Sequence, residues 1–240
     1  MIELIDFFQM SDIGLQRSLN EDSLLCRPPS DFIVADGMGG HVAGEVASHI
    51  FTSTVNRLLS KETGSLDQDG IRGMVISGNR AILDSIRSHP EHQGMGTTAT
   101  CLHIEGGRAL WAHVGDSRLY LIRNGEMHQI TQDHTYVNDL LASGSITQLE
   151  AENHPKRNML VRAVGVDEYV QVDTGEFTLQ PGDIMLLCSD GLTNMVTEEA
   201  IQTVLEARNC HDPAASLVEC AKAGGGTDNI SVIVVKYNEE

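Results

Sequence analysis

Residues 31–40 read DFIVADGMGG. Phe32-Ile33-Val34-Ala35 has the length and β-branched content of a buried strand. It is followed by Asp36, with Gly37, Gly39 and Gly40 behind it, so the carboxylate is expected where the chain leaves a sheet. A carboxylate in that position serves as a turn residue, a helix cap or a metal ligand. An Asp-Gly after a strand is most often a turn, so this stretch acquires another meaning only if it recurs.

It does recur. LWAHVGDS carries an apolar run to Gly115-Asp116-Ser117, and IMLLCSDG carries another to Asp190-Gly191. GGGTDNISVIVV places Asp228 just ahead of a run instead of behind one. Four carboxylates distant in sequence thus stand at junctions of strands with glycine-rich turns. If those strand ends share one edge of packed sheets, the carboxylates converge, and ionised carboxylates crowd into one cleft only when cations neutralise them. Oxygen-only donors at an open site suit hard ions such as Mg²⁺ or Mn²⁺.

Between these junctions, strands are expected at 3–9, 22–27 and 31–35, then a helix over 42–60, where Ala47, Ile50, Phe51, Val55 and Leu58 keep helical spacing. A second helix fits 70–88 through Ile71, Val75, Ile82 and Ile86. Three strand-like segments follow, the last folding back at Asn124-Gly125, a strong hairpin signal. Residues 132–165 are more polar and histidine-bearing, with a capping box at Thr147–Glu150, and read as an irregular subdomain over the core. Strands near 171–179 and 183–188, helices near 198–208 and 212–223 and a last strand, ISVIVVKY, complete the chain. Short turns between successive strands, with the helices in pairs, favour an α+β fold of antiparallel sheets over a doubly wound parallel one. No repeat or linker divides residues 1–240, so one domain is expected.

Composition narrows the function classes. The net charge is −18, from 16 basic and 34 acidic residues. Such a field repels nucleic acid and anionic membranes, and it would repel a phosphorylated substrate unless local positive charge overrode it. No apolar stretch approaches the roughly 20 residues of a membrane span, and the acidic start of MIELIDFFQMSD is unlike a signal peptide. Five scattered cysteines without a CxxC pair argue against a disulfide framework or a zinc site and for the cytoplasm. The glycines do not form GxxxxGK[ST] or GxGxxG, and neither the EF-hand loop nor HExxH is present.

RSLNED (17–22), VADGMGGH (34–41), MGTTAT (95–100), HVGDSRLY (113–120), HPKRNMLVRAVG (154–165), LLCSDGLT (186–193) and GGTDNISVIVV (225–235) together resemble the metal-dependent Ser/Thr protein phosphatases of the PPM (protein phosphatase 2C) family, in the family's order. The length is similar to that of compact bacterial members. The resemblance implies a four-layer α-β-β-α sandwich of two antiparallel sheets, with a metal cluster at one edge and residues 132–165 as the flap beside it. It implies that Asp36 bridges two Mg²⁺ or Mn²⁺ ions, that Asp190 and Asp228 complete the first ion's shell, and that Gly37 offers its carbonyl to the second. Asp22, with Glu21, would act through water, Asp116 with Asp190 would hold a third, weaker ion, and Arg17 would hold the substrate phosphate. Two metals lower the pKa of a water enough to make it a nucleophile near neutral pH, and a guanidinium fork suits a phosphate. The implied activity is hydrolysis of phosphoserine and phosphothreonine in proteins, the targets of a cognate Ser/Thr kinase, by a cytoplasmic monomer with no nucleic-acid or membrane partner.

Met38 departs from the pattern of many eukaryotic relatives, which carry a histidine there to protonate the leaving group. Methionine has no proton to give, leaving a water in the metal site or His41 for that step. His113, His134 and His154 are expected to be hydrogen-bonded structural residues. Asn158 and Arg162 are candidates for contact with the phosphoprotein, with a structural role inside the flap the stronger reading. Two rivals remain: a phosphoprotein-binding module without catalysis, which has no need for the full carboxylate set, and a binuclear hydrolase of small phosphate esters.

Overall fold

The computed structural model describes residues 3–39, 43–207 and 210–239. In chain order the strands are β1 (Glu3–Asp12), β2 (Asp22–Arg27), β3 (Asp31–Met38), β4 (Gly96–Thr97), β5 (Ala99–Glu105), β6 (Arg108–Val114), β7 (Arg118–Arg123), β8 (Glu126–Gln129), β9 (Asp173–Thr178), β10 (Ile184–Cys188) and β11 (Ile230–Glu239). The α-helices are α1 (Gly44–Leu59), α2 (Gln68–Ser88), α3 (Tyr136–Ala142), α4 (Gln148–Glu152), α5 (Asp190–Thr193), α6 (Glu198–Glu206) and α7 (Pro213–Ala223). Among these residues the strands make two sheets with antiparallel pairings, one ordered β1-β11-β10-β7-β8 and the other β2-β3-β5-β6-β9, with β4 pairing beside the end of β3.

The apolar runs of β3 and β11 are continuous because both faces of each strand are covered. Along β3, Phe32 and Val34 point into a layer between the sheets, where they join Leu102, Leu119, Met185, Leu187, Ile233 and Val235. Ile33 and Ala35 point the other way, into a core with Phe51 and Val55 of α1 and Ile71, Val75 and Ile82 of α2. On β11, Val232 and Val234 face Ile201 of α6 and Leu217 and Val218 of α7, while Ile233 and Val235 face the opposite sheet. Three apolar layers therefore separate four structural layers: α1 and α2, one sheet, the second sheet, then α6 and α7. The expected α+β sandwich is found.

Local chemistry explains the element ends. Asp67 caps α2 by accepting from Gly70 N at 2.8 Å, and Asp212 caps α7 from Ala215 N at 3.0 Å. Thr147 and Glu150 form the expected capping box at the start of α4. Asn124 and Gly125 both take positive φ, 54° and 78°, as a two-residue primed turn between β7 and β8 requires.

Two expectations change. Strand β3 continues through Asp36 to Met38, so Asp36 lies within the strand and does not mark its exit. The extension is held from outside the local sequence: Gly37 and Met38 pair with Thr97 and Gly96, and Asp36 N donates to Thr98 Oγ1 at 2.9 Å. Strand β1 likewise runs to Asp12, past the expected end at 9, because β11 pairs with it to Ile230. Helix α3 and the single turn α5, which carries Asp190 as its first residue, are too short to show a period in sequence.

Candidate metal centre

The sandwich collects the expected carboxylates at one edge. Asp22 opens β2 and sits directly across the ladder from Asp36 on β3. Asp190 starts α5 after β10, and Asp228 precedes β11 by two residues, so these two come from neighbouring strands of the second sheet. Asp116 lies in the turn from β6 to β7, where the chain passes from one sheet to the other. All five are partly exposed.

The shared field is evident in their proton affinities. Burial, then Asp22, Asp190, Asp116 and Asp228 in decreasing order, hold the Asp36 carboxyl well above the usual carboxylate range. Asp22 is raised by burial and by Asp190 and Asp228, against hydrogen bonds from Ser231 and Ser189. Burial and the charges of Asp190 and Asp133 raise Asp116, and burial with Asp228 raises Asp190. Asp22, Asp36, Asp116 and Asp190 thus resist ionisation first because they are buried and then because other carboxylates are near, the condition that a divalent cation relieves.

The donor set fits such an ion. Asp22 Oδ2 accepts from Ser189 Oγ at 2.9 Å, whereas its Oδ1 is buried with no hydrogen-bond partner among the described residues. Glu45 Oε2 is a second orphaned buried oxygen, on the first turn of α1, and its charge raises the Glu21 carboxyl after the larger effect of burial. Such unpaired oxygens cost free energy unless a hydrogen-bond donor or a cation meets them, and a divalent ion in the cleft would do so. Among the described residues no three His, Cys, Asp or Glu side chains already form a compact ligand group. The cleft is thus a set of oxygen donors in one field, not a closed cage.

Gly37 is required by close approach: a Cβ there would collide with the carbonyls of Gly44 and Glu21. Bare backbone lets β2, β3 and the start of α1 meet at the cleft and leaves the Gly37 carbonyl free of its own side chain. Gly191 plays the same part in α5, where a Cβ would strike the Asn229 carbonyl.

Arg17 lies beside the carboxylates as expected, its Nη2 donating to Asp228 Oδ2 at 2.7 Å. One donor is engaged there, and a guanidinium has five. The loop that carries Arg17 is fastened by Asn229, whose Nδ2 donates to Ile13 O at 3.0 Å and Leu19 O at 2.9 Å while Oδ1 accepts from Glu21 N at 2.8 Å. Reasoning from sequence missed Asn229, Ser189 and Thr98; the first two adjoin a motif aspartate and Thr98 lies two residues after Gly96, but a lone Asn, Ser or Thr there announces nothing. His41 and Gly40 lie outside the described residues. Met38 is on β3, its methyl beside Gly96.

His113, His134 and His154 are each held by local hydrogen bonds or ring contacts. His113 is buried between Thr100 Oγ1 and Gly115 O, both at 3.0 Å, and burial drives it down to about 3, so it is neutral. His134 accepts from Gly115 N at 3.1 Å and meets Asp173 at 3.0 Å, and His154 packs its ring on Tyr136. Arg162 donates to Asp173 Oδ1 at 3.1 Å, which ties the flap to β9. Asn158 instead lines an open cavity of about 590 Å³ that begins at Asp116 and Asp190 and extends under α3 and α4.

A two-sheet sandwich with helices outside and an acidic cleft at one edge defines the class. The protein phosphatase 2C family model matches residues 16–219, and the chain belongs to that family. Its sequence is 41% identical over 224 residues to the serine/threonine protein phosphatase PstP of Mycobacterium tuberculosis, covering 93% of this chain and 43% of that protein. It is 36% identical to protein phosphatase PhpP of Streptococcus pneumoniae, covering 96% of this chain and 97% of the relative. The crystal structure of the PstP catalytic domain in complex with two manganese ions superimposes with a TM-score of 0.90 at 37% identity, covering 99% of this chain and 100% of that one. The chain thus spans under half the length of full PstP and nearly all of PhpP.

Proposed function

We propose that this chain is a Mg²⁺- or Mn²⁺-dependent phosphatase of phosphoserine and phosphothreonine in proteins. The observation that carries the reading is the mutual field of Asp22, Asp36, Asp116 and Asp190, in which burial and neighbouring charge raise every carboxyl. A binding module would gain nothing from that repulsion. The two manganese ions of the PstP catalytic domain support a binuclear centre here. Asp36 would bridge the ions, Asp190 and Asp228 would face the first, Gly37 O the second, and Asp22 with Glu21 would hold ordered water. Asp116 with Asp190 would hold a third, weaker ion.

When bound, the cations neutralise the phosphate oxygens and lower the pKa of a water enough for it to attack phosphorus near neutral pH. The protein's own residues then set the geometry. Arg17 orients the phosphate through parallel charge-assisted hydrogen bonds. Asp228, which shares a hydrogen bond with Arg17, keeps that guanidinium at the cleft. Water supplies the oxygen that ends on phosphate, the ester oxygen leaves with the serine or threonine, and it must gain a proton. Met38 cannot give one, so the proton comes from a water in the cleft or from His41.

The test is hydrolysis of p-nitrophenyl phosphate and a phosphothreonine peptide with Mn²⁺ or with EDTA. Activity should require the metal. Turnover in EDTA would overturn the mechanism, and robust turnover of metabolite phosphates with none of phosphopeptides would favour the small-ester hydrolase.

A further inference from the structure

The cavity beside the carboxylates is also lined by charged residues of the flap. Its lining runs from Asp116 and Asp190 to Glu152, Arg157 and Asn158 on the flap. Two arginines border it. Arg118 is committed: its Nε and Nη2 donate to Asp133 at 2.7–3.0 Å and its Nη1 to Tyr120 Oη at 2.8 Å. The exposed Arg157 guanidinium has no hydrogen bond or ion pair with any other described residue.

The sequence around Arg157 sharpens the contrast. Residues 154–162, HPKRNMLVR, hold three basic residues and no acidic one in a chain of net charge −18. Arg162 is held by Asp173, and Lys156 lies over the Tyr136 ring at 5.5 Å from its centroid. Glu152, the acid that the flap contributes to the lining, already accepts from Gln148 at 3.2 Å. Among the described residues that line the cavity, Arg157 is therefore the uncommitted cation, on a lining that also includes Asp116 and Asp190. The acidic surface of the protein disfavours an anionic peptide almost everywhere else.

We infer that Arg157 is a specificity-determining residue that binds an anionic side chain, a carboxylate or a second phosphate, near the phosphorylated residue of the substrate. This rests on the phosphatase reading of the carboxylate cleft. An extended peptide advances about 3.3 Å per residue, so moving an anion one position at a time from the phosphorylated residue scans its distance from Arg157. A guanidinium binds either anion in the same forked way, with a phosphate offering more acceptor oxygens. Solvent reaches Arg157, so the preference should be modest, about fivefold, and should shrink with salt.

The experiment compares kcat/KM for phosphothreonine peptides that carry alanine, aspartate or a second phosphoserine at successive neighbouring positions, with Mn²⁺ present. Wild type should prefer an anionic peptide over the alanine peptide at one or more positions. Aspartate and phosphoserine in the same position separate a carboxylate site from one selective for phosphate. In Arg157→Glu the preference should vanish or reverse, and in Arg157→Lys a reduced preference should survive. Equal kcat/KM for all peptides in wild type would overturn the inference while leaving the phosphatase reading intact. So would a preference that Arg157→Glu retains. Were Arg157→Glu to misfold, loss of the wild-type preference between about 0.05 and 0.5 M salt would support the ionic contact, and persistence would overturn it. Failure of wild type to hydrolyse any phosphopeptide would instead overturn the catalytic reading, and this inference with it.

Discussion

Asp36→Asn tests the central claim in two opposite directions. The Asp36 carboxyl has an ordinary value of 3.8 but is held well above that in the fold, chiefly by burial and then by Asp22 across the ladder. The folded state therefore binds more protons than the unfolded chain once pH exceeds the ordinary value, and stability falls as pH rises through that interval. An amide of the same shape removes the charge. Stripping a buried, unpaired ion of its cost is worth several kcal/mol, and partial exposure reduces that here to about 1–3 kcal/mol. For a chain of this size the metal-free variant should melt about 2–12 °C above wild type at pH 8. At pH 4 the two should melt nearly together. With Mn²⁺ the order should invert, because wild type would gain stability from the ion while the variant would lack the donor proposed to bridge it. Differential scanning fluorimetry in EDTA and in Mn²⁺, with phosphatase activity in parallel, reads all of this. A variant less stable than wild type in EDTA at pH 8, or equal Mn²⁺ stabilisation of both, would refute the shared-field argument.

Arg17→Ala should lower kcat/KM roughly 10- to 100-fold by removing charge-assisted contacts to phosphate; unchanged kinetics would take Arg17 out of the site. Asp116→Asn should leave high-affinity binding of two Mn²⁺ ions in place, read by calorimetry, and lose only a weaker third event. Asn229→Ala breaks three hydrogen bonds that join the Arg17 loop to the cleft. It should cost about 2–4 kcal/mol in denaturant unfolding and impair activity as the loop loosens.

Much of this architecture is legible along the chain. β3 and β11 declare themselves because strands buried on both faces need unbroken apolar runs, and Asn124-Gly125 declares a hairpin because both residues tolerate positive φ. The candidate carboxylates stand out through their recurrence beside glycines. What stays hidden is non-local. That Asp22 faces Asp36 depends on the register of β2 on β3, and that Asp190 and Asp228 meet depends on β10 lying next to β11. The extension of β3 past Asp36 depends on Thr98 and a two-residue partner strand some sixty residues away. Asn229 escapes notice for the same reason: its three partners are backbone groups, whose identity no side chain encodes.

The cleft draws Asp22 and Asp36 from one sheet and Asp190 and Asp228 from the other. A cation shared among them would rivet two slabs that otherwise touch through an oily seam of Phe32, Leu102, Leu187 and Ile233. The thickness of that seam then sets the gap across which the ion must reach. Trimming one of those side chains, remote from any polar chemistry, should shift metal affinity as the slabs settle. Metal affinity would then be adjustable from the greasy interior, without altering a single ligand.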